Sequence, residues 1–174
     1  MAEHVLLVGM MGAGKTTIGR IVAGRLRRPF WDSDAEVVAR TGRTVPEIFA
    51  ERGEAAFRAE ERMALALGLC RAVPSVIAVA GGAVFDPDSR RRMRVAGMTV
   101  WLRAAPPTLA VRVGSGQGRP LLGGSPAEVL QRLDAFRRPV YQHMADAVVD
   151  VDGCVPHQIA ERVGRLARDY LEGR

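Results

Sequence analysis

The chain has almost no lysine: of its 25 Lys+Arg residues, Lys15 alone is a lysine and the rest are arginine. Cysteine is nearly as scarce. Cys70 and Cys154 are too few for a disulfide framework, and neither belongs to a Cys-x-x-Cys pair, so a reducing, cytoplasmic setting is expected. Aromatic residues make up 5% of the chain. No basic stretch is interleaved with them, so a stacking platform for bases is missing and nucleic acid is not an expected partner despite the net charge of +6. No apolar run approaches the roughly 20 residues that span a bilayer. The opening Met-Ala-Glu-His-Val has no basic region followed by a long apolar stretch, so neither a membrane partner nor a secretory signal is expected.

What is present is ordinary for a globular protein: 174 residues, 48% hydrophobic and 25% charged. That length fits one domain over residues 1–174. Short apolar runs at Val5–Val8, Phe30–Trp31, Val76–Val79, Thr99–Leu102 and Ala147–Val151, interrupted only by Thr99 and Asp150, read as strands. They lack the period-two alternation of a half-exposed strand, which marks strands buried on both faces. Helical segments separate them, at Lys15–Leu26, Glu54–Arg71, Asp88–Val95, Thr108–Val113, Pro126–Met144 and Pro156–Leu171. Thr44-Val-Pro-Glu47 has the form of a capping box with proline in the first turn, so another helix starts there. Alternating strands and helices predict an α/β fold, a parallel sheet covered by helices on both faces. Ligands of such folds collect beyond the carboxyl ends of the strands.

The lone lysine stands in Gly9-Met-Met-Gly-Ala-Gly-Lys-Thr16, which matches the phosphate-binding loop G-x-x-x-x-G-K-[ST]. An ammonium is a compact point charge on a thin stem, whereas a guanidinium is a wide fork. Only the former fits inside a tight loop against terminal phosphates. Glycines at 9, 12 and 14 let the backbone wrap oxygens and aim N–H groups at them, and the following helix adds its positive end. ATP or GTP is the expected ligand, held by Gly12, Ala13, Gly14, Lys15, Thr16 and Thr17. The Thr16 hydroxyl is the expected direct magnesium ligand.

Asp32 and Asp34 follow a strand. Read alone, they are a solvated turn or a helix cap; beside a phosphate loop, one carboxylate can hold magnesium's water and the other accept a hydroxyl proton. Side chains alternate in an extended segment, so residues 32 and 34 are expected to point the same way. Arg58 lies in a charged helix with Glu54 and Glu61 at helical spacing. Gly81 and Gly82 follow the third strand, where glycines let a substrate approach the backbone. Residues 114–124 carry five glycines around Arg119, the pattern of a lid that brings a cation over phosphates. Arg137 and Arg138 precede Pro139-Val-Tyr141, and the residues themselves do not choose between them.

With these motifs in this order, the chain resembles the shikimate kinases, small P-loop enzymes related to the nucleoside monophosphate kinases. The resemblance runs through Gly9–Thr17, Asp32-Ser-Asp34, Thr41-Gly-Arg43, Ile48-Phe49, Gly53-Glu54, Phe57-Arg58 with Glu61, Gly81-Gly82, Arg119-Pro-Leu-Leu122 and Arg137-x-Pro139-x-Tyr141. It implies a five-stranded parallel sheet in order 2-3-1-4-5 within a three-layer sandwich, a substrate-binding region near 33–61, a lid near 114–124, and a monomer. The implied reaction moves the γ-phosphoryl of MgATP to the 3-hydroxyl of shikimate, in chorismate and aromatic amino-acid biosynthesis. The implied catalytic residues are Lys15, Asp34 and Arg119. Asp34 would also hold the ring hydroxyls, Arg58 and Arg137 would grip the carboxylate, and Gly81 and Gly82 would touch the substrate. Arg112, Arg119 and Pro156 would contact the nucleotide, and Asp32 would act on magnesium through water. The resemblance selects Arg137 over Arg138, because the family's arginine lies four residues before the tyrosine. A kinase of another hydroxylated acid, such as gluconate, or of a cyclitol is the alternative.

Two positions depart from the family's pattern. Ala80 stands where a first glycine is usual; its methyl costs of order 1 kcal/mol if φ is positive and nothing if φ is negative. Cys154 stands where an arginine often precedes the proline of the adenine loop.

Overall fold

The computed structural model describes residues 3–114, 120–122 and 125–173. Five strands, β1 (His4–Val8), β2 (Phe30–Asp32), β3 (Val76–Ala78), β4 (Gly97–Arg103) and β5 (Ala147–Asp150), form one sheet in order β2-β3-β1-β4-β5. All pairings are parallel. The burial expected of all five strands holds for the inner ones: β1 and β3 are buried along their whole length and β4 up to its last residue, whereas β2 and β5, at the edges of the sheet, are partly exposed.

Seven α-helices occur among the described residues: α1 (Lys15–Leu26), α2 (Ser33–Thr41), α3 (Val45–Leu69), α4 (Pro87–Ala96), α5 (Pro106–Val113), α6 (Pro126–Met144) and α7 (Pro156–Glu172). The capping box forms as expected, with the Thr44 hydroxyl accepting from the Glu47 N–H and the Glu47 carboxylate accepting from the Thr44 N–H at 2.6 Å. The two helices expected after residue 44 both form: α3 is broken at Gly53, whose φ of 77° and ψ of 174° are not helical, so its second half begins at Glu54 as expected.

Phe30 and Trp31 are neighbours in β2 and therefore point to opposite faces of the sheet. Gly19 of α1 lies so close to the Phe30 ring that an added Cβ would sit 2.5 Å from it, and Gly68 of α3 stands 2.7 Å from the Trp31 indole by the same measure. The first and third helices thus cover opposite faces. α7 packs on α1 through Ile159, Ala160, Val163, Gly164 and Ala167, whose spacing makes one apolar stripe, and α4 packs on α3. The main core lies between these layers, and a smaller cluster of Val37, Ile48, Phe57 and Ala64 holds α2 to α3. No helix among the described residues is long and apolar enough to cross a membrane.

Candidate active site

Parallel strands end on one edge, and the strand order decides what lies beside what. Along the carboxyl edge stand, in turn, Asp32 at the end of β2, Gly81 and Gly82 beyond β3, the phosphate loop after β1, Arg112 on the helix after β4, and Cys154 and Pro156 beyond β5. One cavity of about 720 Å³ runs along this edge. Its lining includes Gly12, Gly14, Lys15, Thr16, Thr17, Asp32, Asp34, Arg58, Gly81, Gly82, Arg112, Arg137 and Pro156, residues drawn from across the chain. Of the other residues expected there, Ala13 is buried within the loop, its N–H donating to the Met10 carbonyl. Arg119 and most of the expected lid lie outside the described residues.

At the centre, Gly14 caps α1 with φ 92°, a left-handed conformation that a side chain disfavours. The Lys15 ammonium donates to the carbonyls of Gly9 (2.9 Å) and Met10 (3.2 Å), so the charge is held over the loop. Thr16 Oγ1 donates to Asp32 at 2.7 Å. One hydroxyl with a carboxylate behind it is the donor set magnesium favours, since that ion keeps most of its shell as phosphate and water; the residues present fit the metal.

Asp32 and Asp34 do share the cavity, but not by the extended alternation expected of them. β2 stops at Asp32, which caps α2 and accepts from the N–H groups of Asp34 (3.0 Å) and Ala35 (3.4 Å). Asp34 is in the first helical turn. The capping reading of Asp32 holds, and the cap uses one carboxylate oxygen and leaves the other to Thr16. Between the two, buried Ser33 donates to the Ala78 carbonyl (3.1 Å) and accepts from the Ala80 N–H (2.7 Å), tying the aspartates to the Gly81–Gly82 turn. Nothing in the local sequence marks Ser33 for this; only the pairing of β2 with β3 brings the groups together.

On the β3 side, Arg58 Nη1 donates to Glu61 at 2.6 Å and Nη2 to Glu54 at 2.8 Å. Arg58 is 22% exposed and Glu61 only 3%. Burial pushes the Glu61 carboxyl above its usual range, against the opposing pull of Arg58. Burial also works against the Arg58 charge, but Glu61 and Glu54 outweigh it and raise that group. A Cβ on Gly82 would collide with both Arg58 and Glu61, although φ at Gly82 is an ordinary −85°. A larger residue there would have to displace the ends of those two side chains, so glycine at this position is a matter of space, not of conformation. Arg137 is 4% exposed, and its Nε has no hydrogen-bond partner. Arg138 is instead occupied, donating to Asp134 at 2.6 Å. Phe49 and Phe57, with ring centroids 4.8 Å apart, belong to the small cluster and also line the cavity.

Comparison with known proteins identifies the family. The shikimate kinase family model matches residues 11–167. The chain belongs to the shikimate kinase family. It is 43% identical over 167 residues to the shikimate kinase of Pseudomonas syringae pv. tomato, covering 95% of this chain and 96% of that one. The shikimate kinase of Paramagnetospirillum magneticum is 43% identical over 173 residues, covering 99% and 88%. A solved shikimate kinase of Acinetobacter baumannii in complex with shikimate superposes with a TM-score of 0.92 at 33% identity, over 97% of this chain and 94% of that chain. The chain is therefore a kinase with the P-loop fold of that family, and the sheet order 2-3-1-4-5 expected of it is the one found.

The two departures from the family's pattern have different outcomes. Ala80 is fully buried, and Arg27 is the one non-glycine residue with positive φ among those described, so the methyl brings no backbone strain. Cys154 lines the cavity beside Pro156 and supplies no cation there. Arg112 braces that side, donating to the carbonyls of Gly12 (3.4 Å) and Val151 (3.1 Å).

Glu61 links stability to pH in an unusual direction. Its carboxyl is raised above the ordinary 4.5, so the folded chain holds that proton more tightly than the unfolded one. Stability on this account falls as pH rises from 4.5 through the raised value. Glu61→Gln is expected to flatten that part of the Tm-versus-pH curve while loosening Arg58. Thermal melts between pH 4 and 8 check this, and an unchanged slope would refute it.

Proposed function

We propose that the protein phosphorylates shikimate, moving the γ-phosphoryl of ATP to the 3-hydroxyl and giving 3-phosphoshikimate and ADP, a step of chorismate and aromatic amino-acid biosynthesis. One observation carries the reading: the phosphate loop, the Asp34 carboxylate and two guanidinium groups, Arg58 and Arg137, line a single cavity. In-line transfer needs an alcohol anchored within reach of the terminal phosphorus, and positioning with charge stabilisation supplies nearly all the catalysis.

Each residue then has a distinct task. Backbone N–H groups from Gly12 to Thr17 and the α1 amino end cradle the phosphates, and Lys15 neutralises charge that develops on the transferred group. Magnesium would be held directly by Thr16 and through water by Asp32, and it would screen the phosphate oxygens. Asp34 orients the attacking hydroxyl and accepts its proton. Arg58 and Arg137 grip the acceptor's carboxylate as bidentate donors, close to the backbone of Gly81 and Gly82. Arg112 and Pro156 flank the nucleotide base, and Arg119 closes over the phosphates from a lid at 114–124, opposite a substrate-binding region at 33–61. A single-domain cytoplasmic monomer suits this reading; Arg119 apart, the side chains given a task here line one cavity.

ADP release measured with shikimate, gluconate, CMP and no acceptor tests the proposal. Shikimate-dependent turnover well above the acceptor-free rate is expected. Turnover with gluconate in its place would move the protein to the alternative, since two cationic forks serve any carboxylate.

A further inference from the structure

The two arginines proposed to hold the acceptor are fixed in different ways. Arg58 is clamped by Glu54 and Glu61. Arg137, though buried, makes no ion pair among the described residues, and its Nε donates to nothing. Its guanidinium carbon instead lies 5.7 Å from the centre of the Phe85 ring, within the range of a cation–π contact. The Gly81 backbone packs against the same group so closely that an added Cβ would stand 2.6 Å from Nη1 and push the guanidinium aside. Phe85 is itself held at both ends. Arg90 Nη1 donates to the carbonyls of Val84 (2.9 Å) and Phe85 (3.0 Å), fixing the 3₁₀ turn Ala83–Phe85. The ring stacks on Phe136, with centroids 5.1 Å apart and planes 17° from parallel. Phe136 is 68% exposed, an odd place for a large apolar side chain unless the stack is its purpose.

We propose that Phe85, backed by Phe136, is a positioning residue that orients the Arg137 guanidinium for the acceptor's carboxylate, an inference that rests on the role of Arg137 given above. The chemistry favours a ring over an acid here. A carboxylate partner would neutralise Arg137 and occupy its donors, and so compete with the substrate. An aromatic face holds the plane of the cation but takes up none of its N–H groups, leaving charge and donors for an anionic ligand.

Steady-state kinetics on the full chain test this with Phe85→Leu, Phe85→Met, Phe85→Tyr, Phe136→Ala, Arg137→Ala and the double variant Phe85→Leu/Arg137→Ala. Phe85→Met keeps bulk without a ring, should Phe85→Leu fail to fold. We expect the ringless variants to raise the shikimate KM about fivefold, with kcat and the ATP KM unchanged. Phe85→Tyr should stay near wild type, and Phe136→Ala should give a smaller rise than loss of the Phe85 ring. In the Arg137→Ala background, loss of the ring should add nothing. An unchanged shikimate KM in folded ringless variants, or an undiminished effect without Arg137, would overturn the inference. Failure of the functional reading looks different: wild type would show no shikimate-dependent turnover, or Arg137→Ala would leave the KM alone.

Discussion

Lys15→Ala is expected to lower kcat by about a hundredfold to a thousandfold, the loss seen when one preorganised charge-stabilising donor is taken from a transition state. No other lysine exists in the chain to substitute for it. The phosphate loop itself should survive, because its shape rests on glycine conformations and on backbone bonds such as Ala13 N–H to Met10. The ammonium adds two side-chain bonds to the carbonyls of Gly9 and Met10, worth about 1–3 kcal/mol together. The variant should therefore fold, melt slightly earlier and fail to turn over. Lys15→Arg should rescue little, since a planar fork is too wide for a loop shaped around a point charge. ADP release and a thermal melt check both halves. Residual activity above about a tenth of wild type would remove Lys15 from the transition state.

The second large effect is expected at Arg137. Arg137→Ala should raise the shikimate KM roughly tenfold to a hundredfold, the loss of one or two charge-assisted hydrogen bonds. The ATP KM should hold. Arg138→Ala should change neither, because that guanidinium is committed to Asp134 and is 39% exposed. Stability should move the other way from affinity. A buried cation with no ion-pair partner among the described residues costs folding free energy until an anion arrives. Removing it should thus leave Tm unchanged or raise it, apart from the cavity left behind. Shikimate should raise the wild-type Tm and lose that effect in the variant. A KM unchanged in Arg137→Ala and raised in Arg138→Ala would mean the two neighbours have exchanged roles.

Affinity and stability oppose each other at Glu61 as well as at Arg137. Both groups are buried charges, and burial disfavours a charge whatever its use. The fold bears that cost where an anionic acceptor is expected to bind. Elsewhere its polar groups are cheaper: Arg103 meets Asp150 near solvent across β4 and β5, and Thr44 closes its capping box on an exposed helix end.

Much of this was legible in the chain alone, for a physical reason. Short-range chemistry is written in consecutive residues: the apolar runs that became β1 and β3, the capping box that starts α3, and the glycines and lysine of the phosphate loop. Each depends on neighbours a few positions away, so reading along the sequence suffices. Only the tertiary structure decided the remainder. Asp34 reaches the cavity from a helical turn rather than an extended one, because Asp32 caps α2. The space a side chain at Gly82 would take is filled by the ends of Arg58 and Glu61, and its own φ gives no sign of it. Arg137 differs from Arg138 through Asp134, which pairs with one and not the other, and through the ring of Phe85, more than fifty positions earlier. The Asp32 cap and the Asp134–Arg138 pair are local contacts within one helical turn, but those of Gly82 and of Phe85 are set by how distant elements lie side by side, which no stretch of neighbouring residues encodes.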